Sequence, residues 1–556
     1  MSALVECVPN FSEGRDKSVI DAIARAISGV SGVRLLDVDP GADTNRTVYT
    51  FVGEPAAVAE AAFRGAEAAA QLIDMSKHSG AHPRMGALDV CPIVPVSGIT
   101  MEECVEVARA LGRRMAEALS LPVYFYEHAA TRPERRNLAD VRAGEYEALP
   151  KKLADPSWKP DAGPAAFNAR LGATVVGARE FLIAYNVNLN TRDAKLANEV
   201  ALNIREAGRL KRDAKGEVVK DAAGNDLRVP GRLKAVKAIG WYIEQYRQAQ
   251  VSVNLLSFRT TPLHVVYETA REEAAKLGLV VTGSEIVGLT PLAPLVEAGR
   301  YYLAKQGRST GAPERELVEL AIQSLGLAQL SPFDPDKRVI EYAVRVPGPL
   351  VSMTVERFVD EVSSSSPAPG GGSVSALAGS LGAALAAMVA NLTVGKKGYE
   401  SAWESSSALA ERAQEIKAAL ARAVDEDTRA FDDVLAAMRL PKATEAEQKA
   451  RQAAIAAAYE KATAVPLATA RLCLAALELC EQAATSGNRN SLSDAGVGAL
   501  LAKAGLEGAI LNVRINLPSV QEGPFKKATI TELAELQKKA AGPLERTQKA
   551  VEAALE

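Results

Sequence analysis

One order of secondary-structure signals is written twice between residues 1 and 330 and then abandoned, and this limits the possible folds more than any motif does. Leu4–Val8, Val33–Val38, Arg46–Val52 and Leu88–Val96 are short apolar or β-branched runs that predict strands, while Ser18–Ile27, Pro55–Ile73 and Met101–Leu119 carry helical apolar spacing. After the Pro/Gly-rich passage Pro150–Gly172 the order returns. Strands are predicted at Phe181–Leu189, Ala235–Ile243, Val251–Phe258 and Val280–Val287, and helices at Arg192–Ala207, Pro262–Leu277 and Leu292–Gln306. Two successive βαββαβ-type patterns predict paired α/β subdomains, an α+β sandwich with helices on one face of each sheet, and a cleft between them suited to a ligand.

Past Pro347-Gly348-Pro349 the strand signals stop and alanine-rich helical spacing takes over. Helices are expected at Val355–Val362, Val374–Leu392, Ser405–Met438, Glu445–Glu481, Ser493–Val513 and Thr531–Leu555. The expected organisation is multi-domain: subdomains at 1–178 and 179–330, a linker at 331–352, and an all-α helical domain at 353–556. Lys211–Val229, polar and rich in turn residues, is expected to be a small hairpin at Gly224–Asn225 or a mobile loop.

The 65 basic and 68 acidic residues nearly cancel, which argues against nucleic acid or anionic lipid as a general partner. Five scattered cysteines without CxxC spacing predict neither a disulfide framework nor a zinc site. No basic-then-apolar leader opens the sequence, and a cytoplasmic location is expected. Ala376–Val394 is long enough to cross a bilayer and uncharged. Its alanine and glycine content, with Ser380, Asn391 and Thr393 inside it, predicts a bundle helix and no membrane span.

Four stretches could carry chemistry. His78-Ser-Gly-Ala-His82-Pro-Arg84 holds two of the four histidines. Gly80 and Pro83 break the helix that would align them on a metal, leaving an acid/base histidine in a cleft or a satisfied loop histidine. Lys77, Arg84, Arg46 and Arg192 lie at element ends, where cations either hold carboxylates or are simply solvated. Pro367-Ala-Pro-Gly-Gly-Gly-Ser373 leads into a helix without the GK[ST] ending of a P-loop, so it serves close backbone approach to a ligand or a capped turn. Asp425-Glu426-Asp427 lies in an apolar-periodic helix; residues about 100° apart cannot share a face, so one acid is expected to point inward, against the plainer reading of a solvated acidic edge. Gly487-Asn-Arg-Asn-Ser-Leu-Ser-Asp494 reads as a helix-to-helix turn or as a set of amides facing a polar ligand.

The strings LVECVPNFSEGR, LLDVDPGADTNRTVYTFVG and LIDMSKHSGAHPRMGALDVCPIVPV resemble the formiminotransferase family. PAPGGGSVSALAGSLGAALAAMVANLT, DEDTRAFDDVLAAMRLPK and SGNRNSLSDAGVGALL resemble formimidoyltetrahydrofolate cyclodeaminases. In that order on one chain they are similar, nearly end to end, to the bifunctional family joining the two, with Lys211–Val229 longer than is usual there. The resemblance implies transfer of a formimino group from N-formimino-L-glutamate to N5 of tetrahydrofolate. Cyclisation to 5,10-methenyltetrahydrofolate with loss of ammonia would follow, in histidine degradation and one-carbon metabolism. It implies His82 as the transferase acid/base and Asp427 as the cyclodeaminase residue. It also implies a folate-contacting segment (Gly163, Pro164, Ala165, Ala166, Phe167, Asn168, Ala169, Arg170, Leu171 and Gly172), with Asn10, Lys77, His78 and Arg84 as further substrate contacts. Tetrahydrofolate, polyglutamylated, would be a substrate; no metal and no redox cofactor would be needed; and the protein would be a homo-oligomer, a ring of dimers. Competing readings are a single-activity formiminotransferase whose helical domain only mediates oligomerisation, a folate-binding scaffold, and a metal-dependent hydrolase.

Overall fold

A computed structural model describes residues 3–80, 82–221 and 223–555. The chain packs into two compact units, Met1–Pro294 with Leu325–Val344, and Leu295–Ser324 with Arg345–Glu556. The first is built on sheets and the second is mostly helical, as the change of pattern at residue 347 predicts.

The first unit begins β1 (Leu4–Cys7), β2 (Asn10–Phe11), α1 (Lys17–Ser28), β3 (Val33–Gly41), β4 (Arg46–Gly53), α2 (Pro55–Leu72), β5 (Leu88–Ser97), α3 (Met101–Leu119), β6 (Val123–Glu127), α4 (Leu138–Arg142), α5 (Leu149–Ala154) and β7 (Thr174–Ala178). β1 and β2 form one interrupted strand between β4 and β5: Cys7 faces Phe51, Asn10 faces Val48 on one side and Val90 on the other. β3 lies outside β4, and β7 and β6 continue the sheet in parallel beyond β5. Strand alternation sorts the side chains by face. Val5 and Cys7 enter the core with Ile23 and Ile27 of α1 and Val58 and Ala66 of α2, so Glu6 is turned to the opposite face. Helix starts follow their caps: Asp16 accepts the Ser18 amide at 2.8 Å, and Thr100 and Glu103 form a reciprocal box.

A second sheet follows from β8 (Ile183–Leu189), α6 (Ala194–Ile204), β9 (Arg209–Leu210), β10 (Arg228–Val229), β11 (Val236–Ile243), β12 (Gln248–Leu255), α7 (Leu263–Lys276) and β13 (Val281–Val287). Its order is β11-β12-β8-β13, antiparallel throughout. α6 lies directly on β11 at Gly240, where a Cβ would overlap the backbone at Ala197 and Asn198. The Lys211–Val229 excursion is a ribbon, not a loop. β9 pairs with β10, Arg212 bridges Val218, Lys220 bridges Asp226, and the Asp221 carboxylate accepts the Asn225 amide at 2.9 Å.

The second unit contains most of α8 (Leu292–Lys305) and α9 (Glu314–Leu325). The short helices α10 (Pro335–Arg338) and α11 (Ile340–Val344) return to the first unit. Then come α12 (Val355–Val362), α13 (Gly371–Thr393), α14 (Trp403–Met438), α15 (Glu445–Ser486), α16 (Leu492–Asn516) and α17 (Pro524–Leu555). Division by packing therefore differs from the sequence segmentation, which keeps residues up to 330 with the sheets. The α8–α9 turn is bonded into the bundle: Thr310 donates its amide to Ser407 Oγ at 2.9 Å, and Gly311 O accepts from Asn391 and Gln414 at 3.1 and 3.0 Å. α13 and α16 meet through small residues, with a Cβ on Gly505 placed only 2.7 Å from Ser375 O.

The expectation of no membrane span, which rests on Ala376–Val394 alone, is overturned. Three helical stretches, Gly371–Thr393, Glu445–Ser486 and Arg489–Ser519, are long and apolar enough to cross a membrane. The additional two arise because charges are sparse along α15 and α16; from Ala462 to Leu479 only Arg471 and Glu478 are charged. The buried shares of the three apolar windows are 61%, 61% and 44%.

Candidate active sites

His82 lies on the connection between α2 and β5. That connection is tied to the β3–β4 turn by Asn45, whose own backbone is left-handed (φ 47°). Buried, Asn45 accepts the Gly14 amide at 3.0 Å and donates to Ser79 O at 3.0 Å, joining three loops through one side chain. Its carbonyl also takes a hydrogen bond from His78 Nε2 at 2.8 Å, and Arg84 Nε donates to His78 Nδ1 at 3.3 Å. His78 is thus held as the neutral Nε2–H tautomer. Arg84, buried, reaches Glu147 at 2.7 Å and Glu145 at 3.1 Å. Both residues are committed to bracing the loop.

His82 is placed differently. Its Nδ1 lies 2.7 Å from Pro83 O and its Nε2 2.8 Å from Arg46 Nη1. A carbonyl can only accept and a guanidinium only donate, so the ring is neutral with its proton on Nδ1 and its Nε2 lone pair turned to Arg46. Burial pushes the imidazole below its ordinary value, the Arg46 charge pushes it further, the Pro83 carbonyl opposes this, and Arg142 and Asp89 add smaller, opposite contributions. Behind the ring, fully buried Asp89 ion-pairs with Arg142 and accepts the Met85 amide at 2.9 Å. A neutral imidazole beside cations is a proton acceptor at neutral pH.

The Gly163–Gly172 segment is folded onto the same connection. Asn168 Oδ1 accepts the Arg170 and Leu171 amides at 3.1 and 3.0 Å, Arg170 O accepts the Met75 amide at 2.9 Å, and Gly172 bridges Gly86. Gly163, Pro164, Ala165, Ala166 and Phe167 are exposed, with Phe167 against Tyr146 (ring centroids 5.5 Å apart). Lys77 is exposed, 3.4 Å from Asp74, and Arg192 is exposed. Asn10 is buried on its strand and donates to Val8 O at 2.9 Å. The structure therefore brings His82, His78, Arg84, Arg46 and the 163–172 segment together. It adds Asn45, Asp89 and Arg142, which sequence reasoning missed. The one available signal was the Asp-Thr-Asn-Arg hairpin turn; Arg142 is remote in sequence and had none.

In the helical unit the three consecutive acids of α14 have three fates. Asp425 is buried and accepts the Leu350 and Val351 amides at 2.8 and 3.2 Å, Glu426 is exposed, and Asp427 is half-buried. Asp427 faces the N-terminus of α13, where a Cβ on Gly372 would overlap its carboxylate, so this position of the glycine run must lack a side chain. Burial raises the Asp427 carboxyl above its usual range, opposed by hydrogen bonds from the Ser373 amide and hydroxyl. That hydroxyl also has Val424 O within 2.7 Å and its single proton serves one acceptor at a time, so the amide is the constant donor. The Gly487–Asp494 turn lies at the other end of α13, where Asn488 donates its amide to Thr393 Oγ1 at 2.9 Å and accepts from Lys396 at 2.7 Å. The 23 residues of α13 span about 35 Å, which separates this turn from Asp427.

Comparison with known proteins follows the same division. Residues 4–179 match the formiminotransferase domain, N-terminal subdomain, residues 184–345 the formiminotransferase domain, and residues 354–535 the formiminotransferase-cyclodeaminase family. The chain is 48% identical over 539 residues to mouse formimidoyltransferase-cyclodeaminase, covering 96% of each. It is 42% identical over 303 residues to a glutamate formimidoyltransferase of Streptococcus pyogenes serotype M1 (54% of this chain, 94% of that one). It is also 42% identical over 183 residues to a methenyltetrahydrofolate cyclohydrolase of Methylorubrum extorquens (33% and 88%).

Proposed function

We propose a function in two steps, starting from the fact that this chain belongs to the formimidoyltransferase-cyclodeaminase family. It is a bifunctional folate enzyme, a glutamate formimidoyltransferase joined to a formimidoyltetrahydrofolate cyclodeaminase. The shared strand order of β11-β12-β8-β13 and β3-β4-β1-β5 supports reading the sheets as paired subdomains of the transferase.

In the first step N5 of tetrahydrofolate attacks the formimino carbon of N-formiminoglutamate, giving a tetrahedral aminal. N5 must lose a proton and the departing glutamate nitrogen must gain one. His82 performs both transfers through Nε2; what supports this role is its neutral tautomer, with Nδ1–H fixed on Pro83 O. Exposed Phe167 and its neighbours in the 163–172 segment offer a surface for the pteridine, beside the loop that carries His82.

In the second step N10 closes onto the same carbon and ammonia leaves. The nitrogen must be protonated before departure, and Asp427, raised by burial, is the group suited to deliver that proton. The carbon stays at the oxidation level of formate throughout, so neither a redox cofactor nor a metal is required by the chemistry. The reading includes a polyglutamylated folate as substrate and a place in histidine breakdown, both as the family implies. The five cysteines are buried free thiols, which supports a reducing, cytoplasmic compartment.

The observation that carries this reading is the pair of half-buried titratable groups, His82 and Asp427, each shifted toward its neutral form. Formiminoglutamate and tetrahydrofolate supplied together should yield glutamate, ammonia and methenyl absorbance in sequence. Glutamate release without ammonia would leave the single-activity reading standing.

A further inference from the structure

Beside His82 there is more positive charge than the surrounding residues neutralise. Arg46 lies 2.8 Å from the ring's Nε2, the charges of Arg46 and Arg142 both depress its basicity, and Arg142 also acts on Arg46. The buried anion facing all three is Asp89, already engaged by Arg142 and the Met85 amide. Asp39, exposed on β3, is the remaining acid that acts on Arg46. Two guanidiniums against one buried carboxylate leave a surplus charge. Arg142 Nε is also buried with no hydrogen-bond partner. A buried donor left unpaired calls for a missing acceptor, and a planar carboxylate is the group that two guanidiniums satisfy best.

We propose that Arg46 and Arg142 are the seat for the α-carboxylate of the formimino donor, and that this carboxylate draws Arg46 off His82 Nε2. The inference rests on the transferase reading above and specifies how its donor is held. The α-carboxylate is borne by the same carbon as the reacting nitrogen, whereas the side-chain carboxylate is two carbons further away. A seat whose one arm is 2.8 Å from Nε2 therefore brings the nitrogen, not the far end of the donor, to the histidine. In the free protein Arg46 occupies the Nε2 lone pair. When the donor arrives, Arg46 turns to the carboxylate and the lone pair becomes free to take the N5 proton. The base is armed by the substrate that needs it, and tetrahydrofolate alone leaves it capped.

Steady-state kinetics of the full chain test this, with donor and tetrahydrofolate varied separately. Arg142→Gln should raise the KM for formiminoglutamate roughly 10²-fold, the loss of a charge-assisted pair, with the KM for tetrahydrofolate unchanged. Turnover of 5-formimidoyltetrahydrofolate by the same preparation should be unaltered. Because Arg142→Gln strips buried Asp89 of its partner, Arg46→Gln is the second variant; it leaves that pair intact and should also raise the donor KM. It should also raise the His82 pKa measured by NMR. N-formimino-4-aminobutyrate, which lacks the α-carboxylate, should react poorly with the native protein and lose nothing further in either variant. An analogue lacking only the side-chain carboxylate should remain sensitive to both. Unchanged donor KM in Arg46→Gln, or analogue and variant losses that multiply, would overturn the seat while native turnover of formiminoglutamate left the transferase reading intact. Failure of the native protein to release glutamate would instead remove that reading.

Discussion

The His82 loop and the Asp427 helix displace their titratable groups in opposite directions by the same dominant cause. Burial lowers the imidazole and raises the carboxyl, because in each case it penalises the charged form. The surroundings then differ. His82 has two guanidiniums that reinforce the shift, so its neutral form is favoured further. Asp427 has hydrogen bonds from Ser373 that oppose its shift. Loss of solvent alone can thus make an acid at one site and a base at another; the neighbours set how far each goes.

Exchange of the two groups gives the largest test of this contrast. His82→Asn should cut glutamate release by ~10²–10⁴-fold and leave cyclisation of supplied 5-formimidoyltetrahydrofolate intact, and Asp427→Asn should do the reverse. Both rates are read in one assay, from glutamate and methenyl absorbance. If one variant stopped both reactions, the sites would not be chemically separate.

The pH profiles should also oppose one another. On the proposed mechanism His82 acts when neutral, and its pKa is lowered, so the transferase should hold its rate as pH falls past the ordinary imidazole value and lose it only below. On the same mechanism Asp427 acts when protonated, and its pKa is raised, so the cyclodeaminase should persist above the ordinary carboxylate range and decline as pH rises.

Glu6 sharpens the comparison as a buried acid outside both reactions. Burial raises it to about 7, with Arg179 pulling down and Glu341 pushing up. Its protonated form is favoured in the folded state, so its stabilising contribution is full below pH 4.5 and is lost as pH rises through 7. The loss is roughly 3 kcal/mol. Glu6→Gln should flatten the fall in melting temperature over that window. The smallest effect belongs to Ser373→Ala. Removal of the hydroxyl raises the Asp427 carboxyl further and should move the cyclodeaminase decline only slightly to higher pH, since the Ser373 amide still donates.

The layout was legible where periodicity is local. Each strand and helix of the repeated pattern lies within a few residues of its predicted bounds, since alternation and 3.6-residue spacing are written in neighbouring side chains. β6 and β7 escaped notice because Val123–Glu127 and Thr174–Ala178 are short and gain their partners only through parallel pairing. At the candidate sites, the family resemblance singles out His82 and Asp427, but nothing in the sequence gives their surroundings. Arg142 meets Asp89 across 53 positions, and Asn45 meets Gly14 and Ser79 across 31 and 34. No window of sequence contains such pairs. Of the three acids in α14, spacing predicted that one turns inward. Which one braces a loop and which one faces the start of α13 depended on the Leu350 and Val351 amides and on Gly372, all far away in the chain.

The anchoring of Gly348–Val351 on Asp425 has a practical consequence for dissecting the two activities. A fragment begun at Met353 would discard the amides that satisfy Asp425 and leave a bare carboxylate inside the bundle, two positions from the proposed catalytic Asp427. It would also forgo Thr310 and Gly311, which stitch the α8–α9 turn to α13 and α14. An excised helical half that proved inert would therefore report a misplaced scissor cut, not a dependence of one chemistry on the other.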